Sequence, residues 1–266
     1  MSDSKSQWLI LLFLIIGLAG GIWFFLTIPE EPEPIVVPAQ PQPVAVEPAS
    51  PHYAVLPTPS PETGSPQLTP LPPLDDSDEA FVQALVDLFG IDIEELLVDT
   101  ALIEKFVTTI DNLTRSHVAE KVRPLRRASG TFLVDTLDDG DVYAINPDSF
   151  MRYDTLVDLL VSSDADSLVS IYQRFYPLLQ QSYVNLGYPD GYFNDRTVAV
   201  IDHLLETPQV EDPILLIRPH VLYEYADPQL EALSSGQKLL LRMGNRNAAL
   251  VKQLLTKLRA QIAVAE

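Results

Sequence analysis

The feature that most constrains the fold is an uncharged run at residues 8–28, WLILLFLIIGLAGGIWFFLTI. As a helix rising about 1.5 Å per residue, its 21 residues would span about 30 Å, the thickness of a bilayer core. A cleaved signal peptide is the alternative, but its apolar region is about 7 to 15 residues long and ends in small residues. Because bulky Trp23, Phe24 and Phe25 close this run, we predict an uncleaved transmembrane helix.

The charges that flank this run predict its orientation in the membrane. Lys5 precedes the run, whereas no Lys or Arg follows it before Lys105. The positive-inside rule therefore places residues 1–7 in the cytoplasm and the rest of the chain in the periplasm of a Gram-negative bacterium. Gly17 and Gly21 form a GxxxG pattern, which allows two membrane helices to pack closely, so a homodimer through these glycines is a further expectation.

A proline-rich segment follows the apolar run. Residues 29–74 contain 15 prolines and no Lys or Arg. Repeated proline fixes φ and removes backbone donors, so we predict a disordered but extended linker. At about 3.1 Å per residue, its greatest reach is about 140 Å.

The remaining residues, 75–266, predict one mainly α-helical globular domain with a short β-hairpin. Apolar positions at helical spacing predict helices at 75–90, 99–118, 149–161, 166–186, 194–205 and from 234 onward. Asp76 and Asn194 are the expected N-caps of two of these helices, and Pro177 is expected to kink or break a third.

Two features predict extended chain within this helical domain. Residues 131–134 and 142–145 flank an Asp-Gly turn signal, which is typical of a hairpin. Residues 211–225 contain too many prolines for a long helix and are expected to cross the domain in an extended conformation.

The last predicted helix is amphipathic. Ser234 and Gln237 have the spacing of a capping box. Gly244 falls within the apolar arc, so we expect it to admit a neighbouring helix rather than to end this one. One shoulder of the helix is basic and carries Lys238, Arg242 and Arg246.

Charge and composition exclude several classes of function. The net charge of −20 argues against general nucleic-acid binding, which requires a basic field around the phosphates. The absence of cysteine excludes disulfides, thiol nucleophiles, iron–sulfur clusters and a lipid-bearing cysteine. No phosphate-binding glycine loop, GxSxG elbow or HExxH pair is present, so we predict no catalytic residue, no metal site and no cofactor.

Basic residues are concentrated in two islands of this acidic chain. Residues 105–127 carry six bases and two acids, and residues 227–266 carry six bases and three acids. The preferred interpretation is that these bases neutralise acidic neighbours. The alternative is a site for a lipid headgroup, a phosphate or a glycan. Its candidate binding residues are Lys238, Arg242, Arg246, Arg123, Arg126 and Arg127.

A polar and aromatic loop is the second candidate site. Tyr188, Asp190, Tyr192 and Phe193 are of the types that line a sugar or peptide groove. An ordinary turn anchored by its aromatic residues is the preferred alternative. A cell-wall or glycan-active enzyme would use the 188–195 loop, with Asp190 or Asp195 as the acid.

Several stretches resemble a known family. LPPLDDSD, LGYPDGYF, IDHLLETP and VLYEYADPQLEALSSGQKLLLRMGNRN are similar to the signatures of domain of unknown function 3014, found in proteobacterial proteins with an N-terminal anchor and a proline-rich spacer. The resemblance covers about residues 71–258. It implies a mainly helical envelope domain and carries no activity, ligand or catalytic residue.

Together these patterns predict a single-pass inner-membrane protein with a helical periplasmic domain. We expect a non-catalytic binding or scaffold module, with the bilayer as one partner through residues 8–28. Another envelope protein or cell-wall material is the expected second partner.

Overall fold

The computed structural model describes residues 51–55, 70–137 and 141–264, and these are mainly helical, as predicted. The helices are α1 (Asp78–Phe89), α2 (Ile93–Leu96), α3 (Leu102–Asn112), α4 (Asp154–Ser162), α5 (Ala165–Asn185), α6 (Phe193–Leu205), α7 (Pro228–Glu231), α8 (Ser235–Arg242) and α9 (Gly244–Ile262). Short 3₁₀ helices lie at Leu74–Asp76, Glu120–Val122 and Pro147–Tyr153. The predicted helix at 149–161 is therefore a 3₁₀ helix that leads into α4.

The predicted membrane segment lies outside the described residues. This applies to residues 8–28, with Gly17 and Gly21, and to most of the linker. Within residues 51–55, 70–137 and 141–264, no helix combines the length and the apolar character that crossing a membrane requires.

The predicted hairpin is present and belongs to a larger sheet. The strands are β1 (Val134–Leu137), β2 (Val142–Ile145), β3 (Leu215–Ile217) and β4 (Glu224–Tyr225), in the order β1-β2-β3-β4 with antiparallel neighbours. The first strand lies later than the predicted 131–134. The segment 211–225 is non-helical, as predicted, but it is not an extended crossing: it turns back on itself and supplies the antiparallel strands β3 and β4. Sequence patterns missed the pairing of β2 with β3 because these two strands lie far apart along the chain.

The main core joins α1, α2, α3 and α5. The ring of Phe81 on α1 meets the ring of Phe175 on α5 edge to face, with 5.0 Å between centroids. Phe175 is fully buried. Other members of this cluster are Leu74, Ile93, Leu102, Ile103, Val107 and Leu179. Because Leu74 is buried and Leu71 packs against the cluster, the folded domain starts before Asp75.

The start of α3 differs from the prediction because its cap comes from another helix. Ala101 has a left-handed backbone (φ 55°), and α3 begins at Leu102 rather than at Asp99. The carboxylate of Asp78 accepts the backbone N–H groups of Ala101 and Leu102, each at 2.7 Å. Asp76, the predicted cap of α1, does not cap it: residue 77 occupies the N-cap position, and no side chain caps the helix there.

Helix α3 ends earlier than the predicted residue 118 because the chain turns to meet α8. The backbone N–H groups of Ser235 and Gly236, at the start of α8, donate to the carbonyls of Arg115 and Leu113 at 2.7 and 2.9 Å. A Cβ on Gly236 would lie 3.0 Å from the Leu113 carbonyl oxygen, so only glycine allows this approach. The backbone N–H groups at the start of α8, which have no partner within that helix, thus donate to the residues that follow α3.

Helix α5 passes through Pro177 without ending, so the predicted break is wrong. Proline removes one helical hydrogen bond and crowds the preceding turn, which normally interrupts a helix. Here Phe175, Leu178 and Leu179 on both sides of it are buried in the main core. Their burial holds the helix together across the proline.

The C-terminal helix is two helices rather than one. The capping box is confirmed, because Ser234 and Gln237 exchange side-chain-to-backbone hydrogen bonds at 3.2 Å. Gly244 then adopts φ +78° and separates α8 from α9, so the prediction of an unbroken helix is wrong. The expected close approach is present: a Cβ on Gly244 would lie 2.7 Å from Cγ of Phe150.

Candidate functional site in the 188–196 segment

The 188–196 segment consists of a turn after α5 and the first residues of α6. Gln180 of α5 holds both sides of the turn. Its Nε2 donates to the Gly191 carbonyl at 2.7 Å, and its Oε1 accepts the Phe193 backbone N–H at 2.8 Å. The Phe193 side chain is fully buried in the main core. It therefore anchors the turn and does not line an open groove.

Tyr188 is anchored in the same way. Its ring stacks on Tyr183, with 4.6 Å between centroids and an interplanar angle of 19°. Its hydroxyl donates to Oδ2 of Asp111 at 3.2 Å. Burial, with the negative charge of Asp111 nearby, raises the pKa of Tyr183. Both rings thus provide packing surface between α5 and α3.

Asp111 is the centre of a buried polar cluster that sequence analysis missed. The residue is 3% exposed. Arg196 Nε donates to its Oδ1 at 2.9 Å, and Arg115 Nη2 donates to its Oδ2 at 3.0 Å. Arg196 Nη2 also donates to Thr114 Oγ1 at 2.8 Å and to the Asp111 carbonyl. The spacing of Asp111 and Arg115 by one helical turn was the available sequence signal.

Asn194 lies inside α6, and its predicted role as the N-cap is wrong. Tyr192 occupies the N-cap position, and Asn194 is fully buried. Its Nδ2 donates to the carbonyls of Ile262 and Tyr53, at 2.9 and 3.0 Å. Its Oδ1 accepts the hydroxyl of Tyr172 at 3.0 Å. Every polar atom of this amide is therefore aimed at a defined partner.

Residues 51–55, within the predicted linker, lie against this part of the domain. Both carboxylate oxygens of Asp195 accept backbone N–H groups, from His52 at 2.9 Å and from Tyr53 at 2.8 Å. Tyr53 packs against a cluster formed by α5, α6 and α9. The prediction of a free linker thus does not hold for these five residues. We call residues 51–55 the strap.

The remaining loop candidates lie closer to the surface. Asp190 is exposed, and Tyr192 is half-buried. Asp195, the second candidate acid, has both oxygens bonded to the strap. The four predicted loop residues therefore do not line one open groove: Phe193 is in the core, Tyr188 is stacked, and only Asp190 is freely exposed.

The basic residues of the last two helices have acidic neighbours. Lys238 pairs with Glu231, and Arg246 lies 3.8 and 3.7 Å from Asp154 and Asp158. Arg242 is exposed. Burial of Glu231 disfavours its charge, but the hydrogen bonds from Lys238 and from the backbone of residue 225 outweigh this and lower its pKa.

The second basic group, Arg123, Arg126 and Arg127, also forms ion pairs and hydrogen bonds within the domain. Arg126 pairs with Asp99 at 2.5 Å, and Arg127 pairs with Glu120. Arg123 donates to the carbonyl of residue 118 at 2.7 Å. Across residues 70–137 and 141–264, no hydrogen bond or ion pair joins this group to the basic residues of α8 and α9. Four of the six candidate residues, Lys238, Arg246, Arg126 and Arg127, thus have acidic neighbours within the domain.

Comparison with known proteins places the chain in a family. No curated protein and no solved structure matches it. The family model described as "Protein of unknown function (DUF3014)" matches residues 102–259, more than half of the chain. The match starts at the first residue of α3, later than the resemblance noted from residue 71. The chain therefore belongs to the DUF3014 family of proteins of unknown function.

Proposed function

We propose that this protein is a non-catalytic binding or scaffold module of the bacterial envelope. In this proposal residues 8–28 cross the inner membrane, and the helical domain lies in the periplasm. The uncharged run, the Lys5 flank and the proline-rich linker support the anchor and its orientation. The second partner is another envelope protein.

The observation that carries the binding role is a group of exposed apolar side chains at residues 215–222. Val221 and Leu222, in the connection from β3 to β4, are 77% and 76% exposed. Leu215 and Ile217 of β3 are 42% and 36% exposed, while Leu216 between them is buried. Burying one such side chain contributes about 1.5 to 3 kcal/mol. Apolar side chains concentrated in so short a stretch of surface favour a protein partner.

Binding is favoured over glycan hydrolysis because only one of the two candidate acids, Asp190 and Asp195, is available to a substrate. Glycosidases use a pair of carboxyl groups on either side of the scissile bond. Asp195 is engaged by two backbone N–H groups of the strap, so it offers neither oxygen to a substrate. Asp190 alone would remain, without the second carboxyl group that this chemistry needs.

In-cell crosslinking of the full chain tests the proposal. The variant carries Val221→Asp and Leu222→Asp, and the matched control carries Ile91→Asp and Met151→Asp, which are 63% and 58% exposed. We expect crosslinked partner bands to fall at least about tenfold in the first variant, since two lost apolar contacts exceed 1.4 kcal/mol, and to persist in the control. An unchanged pattern in a folded Val221/Leu222 variant would overturn this contact surface.

Two further experiments test the basic shoulder as a contact and the orientation of the chain in the membrane. Reversal of Lys238, Arg242 and Arg246 to Glu should leave the crosslinks unchanged, since Lys238 and Arg246 already have internal acidic neighbours. Lost crosslinks in a folded reversal variant would instead make this basic shoulder the contact. A reporter fused after Glu266 should be active only in its periplasmic form, and cytoplasmic activity would refute the orientation.

A further inference from the structure

The strap is held by contacts that a peptide ligand would make. It lies 142 residues from Asp195 in the chain, yet the backbone N–H groups of His52 and Tyr53 reach both carboxylate oxygens. The Tyr53 carbonyl accepts from Asn194. Two adjacent donors and one acceptor of a bent backbone are thus satisfied by two consecutive residues of α6. This part of the recognition depends on the backbone and not on side chains.

The side chain of Tyr53 makes the part of the recognition that depends on the sequence of the bound segment. Its ring packs against Val169 of α5, Val198 and Ile201 of α6 and Ile262 of α9, which form one apolar cluster. The His52 ring meets the Tyr53 ring edge to face at 4.5 Å. Ala54 and Val55 line a small crevice together with Tyr172, Gln173 and Gln261. The surface therefore fits a short peptide segment with one aromatic residue.

The amide that donates to the strap, that of Asn194, is held in place by the domain itself. Asn194 is fully buried, and its amide is oriented by Tyr172 and by the Ile262 carbonyl. Burial raises the pKa of Tyr172, so its hydroxyl remains a neutral donor to Asn194. A site whose polar groups are already oriented loses little conformational freedom on binding.

We propose that this surface of α5, α6 and α9 is a binding site for a tyrosine-containing peptide segment, and that the strap is its intramolecular ligand. Residues 56–69 connect the strap to the domain. A ligand tethered to its site by a short stretch of chain has an effective concentration on the order of 1 mM, which favours the chain's own segment as the occupant.

Occupation of the site divides the linker. Of the predicted linker, residues 29–50 then precede the strap, and at about 3.1 Å per residue their greatest reach is about 70 Å, compared with about 140 Å for residues 29–74. This consequence rests on the proposed membrane anchor, whereas the binding site does not.

Binding of a peptide in trans tests the site. The probe is a fluorescent peptide of residues 48–58, and the proteins are the full chain and its Tyr53→Ala and Tyr53→Phe variants. We expect the Tyr53→Ala chain, whose own strap has lost its ring, to bind the probe at least tenfold more tightly than the unmodified chain. The Tyr53→Phe chain keeps the ring and should resemble the unmodified chain. A probe peptide with the same Tyr53→Ala change should bind no chain.

Two outcomes of this assay would overturn the proposal. One is equal binding of the probe by the unmodified and Tyr53→Ala chains. The other is no binding by the Tyr53→Ala chain up to about 5 mM, a concentration in the range of a tethered ligand. Neither outcome bears on the envelope partner, which is tested separately by the crosslinks at Val221 and Leu222.

Hydrogen exchange in the full chain gives a second readout. The amides of His52 and Tyr53 should exchange at least tenfold more slowly than in the free peptide, because both donate to Asp195. In Asp195→Ala they should exchange at the rate of the free peptide, while the amide of Leu179 in the core stays protected and reports that the domain is folded. Exchange of both strap amides at the free-peptide rate in the unmodified chain would refute the proposal.

Discussion

Arg196 on α6 donates its Nε to Oδ1 of Asp111 on α3 at a distance of 2.9 Å. The carboxylate is almost fully buried, and Arg115 and Tyr188 bond to its other oxygen. A buried charge is tolerated only when it is paired and hydrogen-bonded, and losing one partner commonly costs about 3 to 5 kcal/mol. This cluster is therefore a buried polar joint between α3 and α6.

The first prediction concerns this joint. Arg196→Ala should lower the free energy of unfolding by about 3 kcal/mol, because Arg115 is the only cation left beside Asp111. Urea unfolding followed by circular dichroism measures the change. The matched control is Arg127→Ala, which removes an exposed ion pair with Glu120 and should have no measurable effect. Equal effects of the two changes would contradict a structural role for Asp111.

The second prediction concerns the cap of α3. Asp78→Ala removes the acceptor of two helix-start amides and should cost about 1 to 2 kcal/mol of unfolding free energy. Asp76→Ala changes the neighbouring residue that the sequence pattern favours as a cap, and it should cost less than about 0.5 kcal/mol. Thermal unfolding of both variants decides between the two residues. A larger effect at Asp76 would reverse the assignment.

The third prediction concerns the junction of α8 and α9. Gly244→Ala places a Cβ at 2.7 Å from the Phe150 ring and also strains a backbone with φ +78°. Gly130 has the same φ, but its added Cβ would lie 3.8 Å from the Arg152 side chain. Gly244→Ala should therefore lower the unfolding free energy by at least about 1 kcal/mol more than Gly130→Ala. Matching losses in urea unfolding would show that overlap with Phe150 is unimportant.

The fourth prediction concerns the ion pair of Glu231 and Lys238. The folded state lowers the pKa of Glu231 below its ordinary value of 4.5, so its contribution to stability is present above that value and is lost as pH falls through the folded pKa. Lys238→Met removes the cation. The stability difference between the unmodified chain and this variant should be largest above about pH 5 and should shrink towards about pH 3. A difference that stays constant over this range would exclude the ion pair as its source.

Local patterns predicted the elements whose interactions are themselves local. The capping box of Ser234 and Gln237, the extent of α5 and the hairpin follow from residues within a few positions of one another. The turn at 188–192 is anchored by its aromatic residues, as the preferred interpretation of that loop expected.

Long-range contacts explain what the patterns missed. The cap that Asp78 gives to α3, the Arg196 bond to Asp111 and the strap all join residues far apart in the chain. No periodicity or spacing rule records such pairs. Gly244 is a further example. Helical periodicity placed it on the apolar face of one helix, whereas in the structure it packs against the Phe150 ring with a left-handed backbone that separates α8 from α9.

The Phe81–Phe175 contact shows that the fold begins earlier in the chain than the family match does. Phe175 lies within the matched residues 102–259, but Phe81 precedes them. A fragment starting at residue 102 would lose α1 and α2, the Asp78 cap and one wall of the main core. It would expose the fully buried ring of Phe175, and such exposed apolar surface promotes aggregation. An expression fragment should therefore begin before residue 71, although the match to the family model begins only at α3.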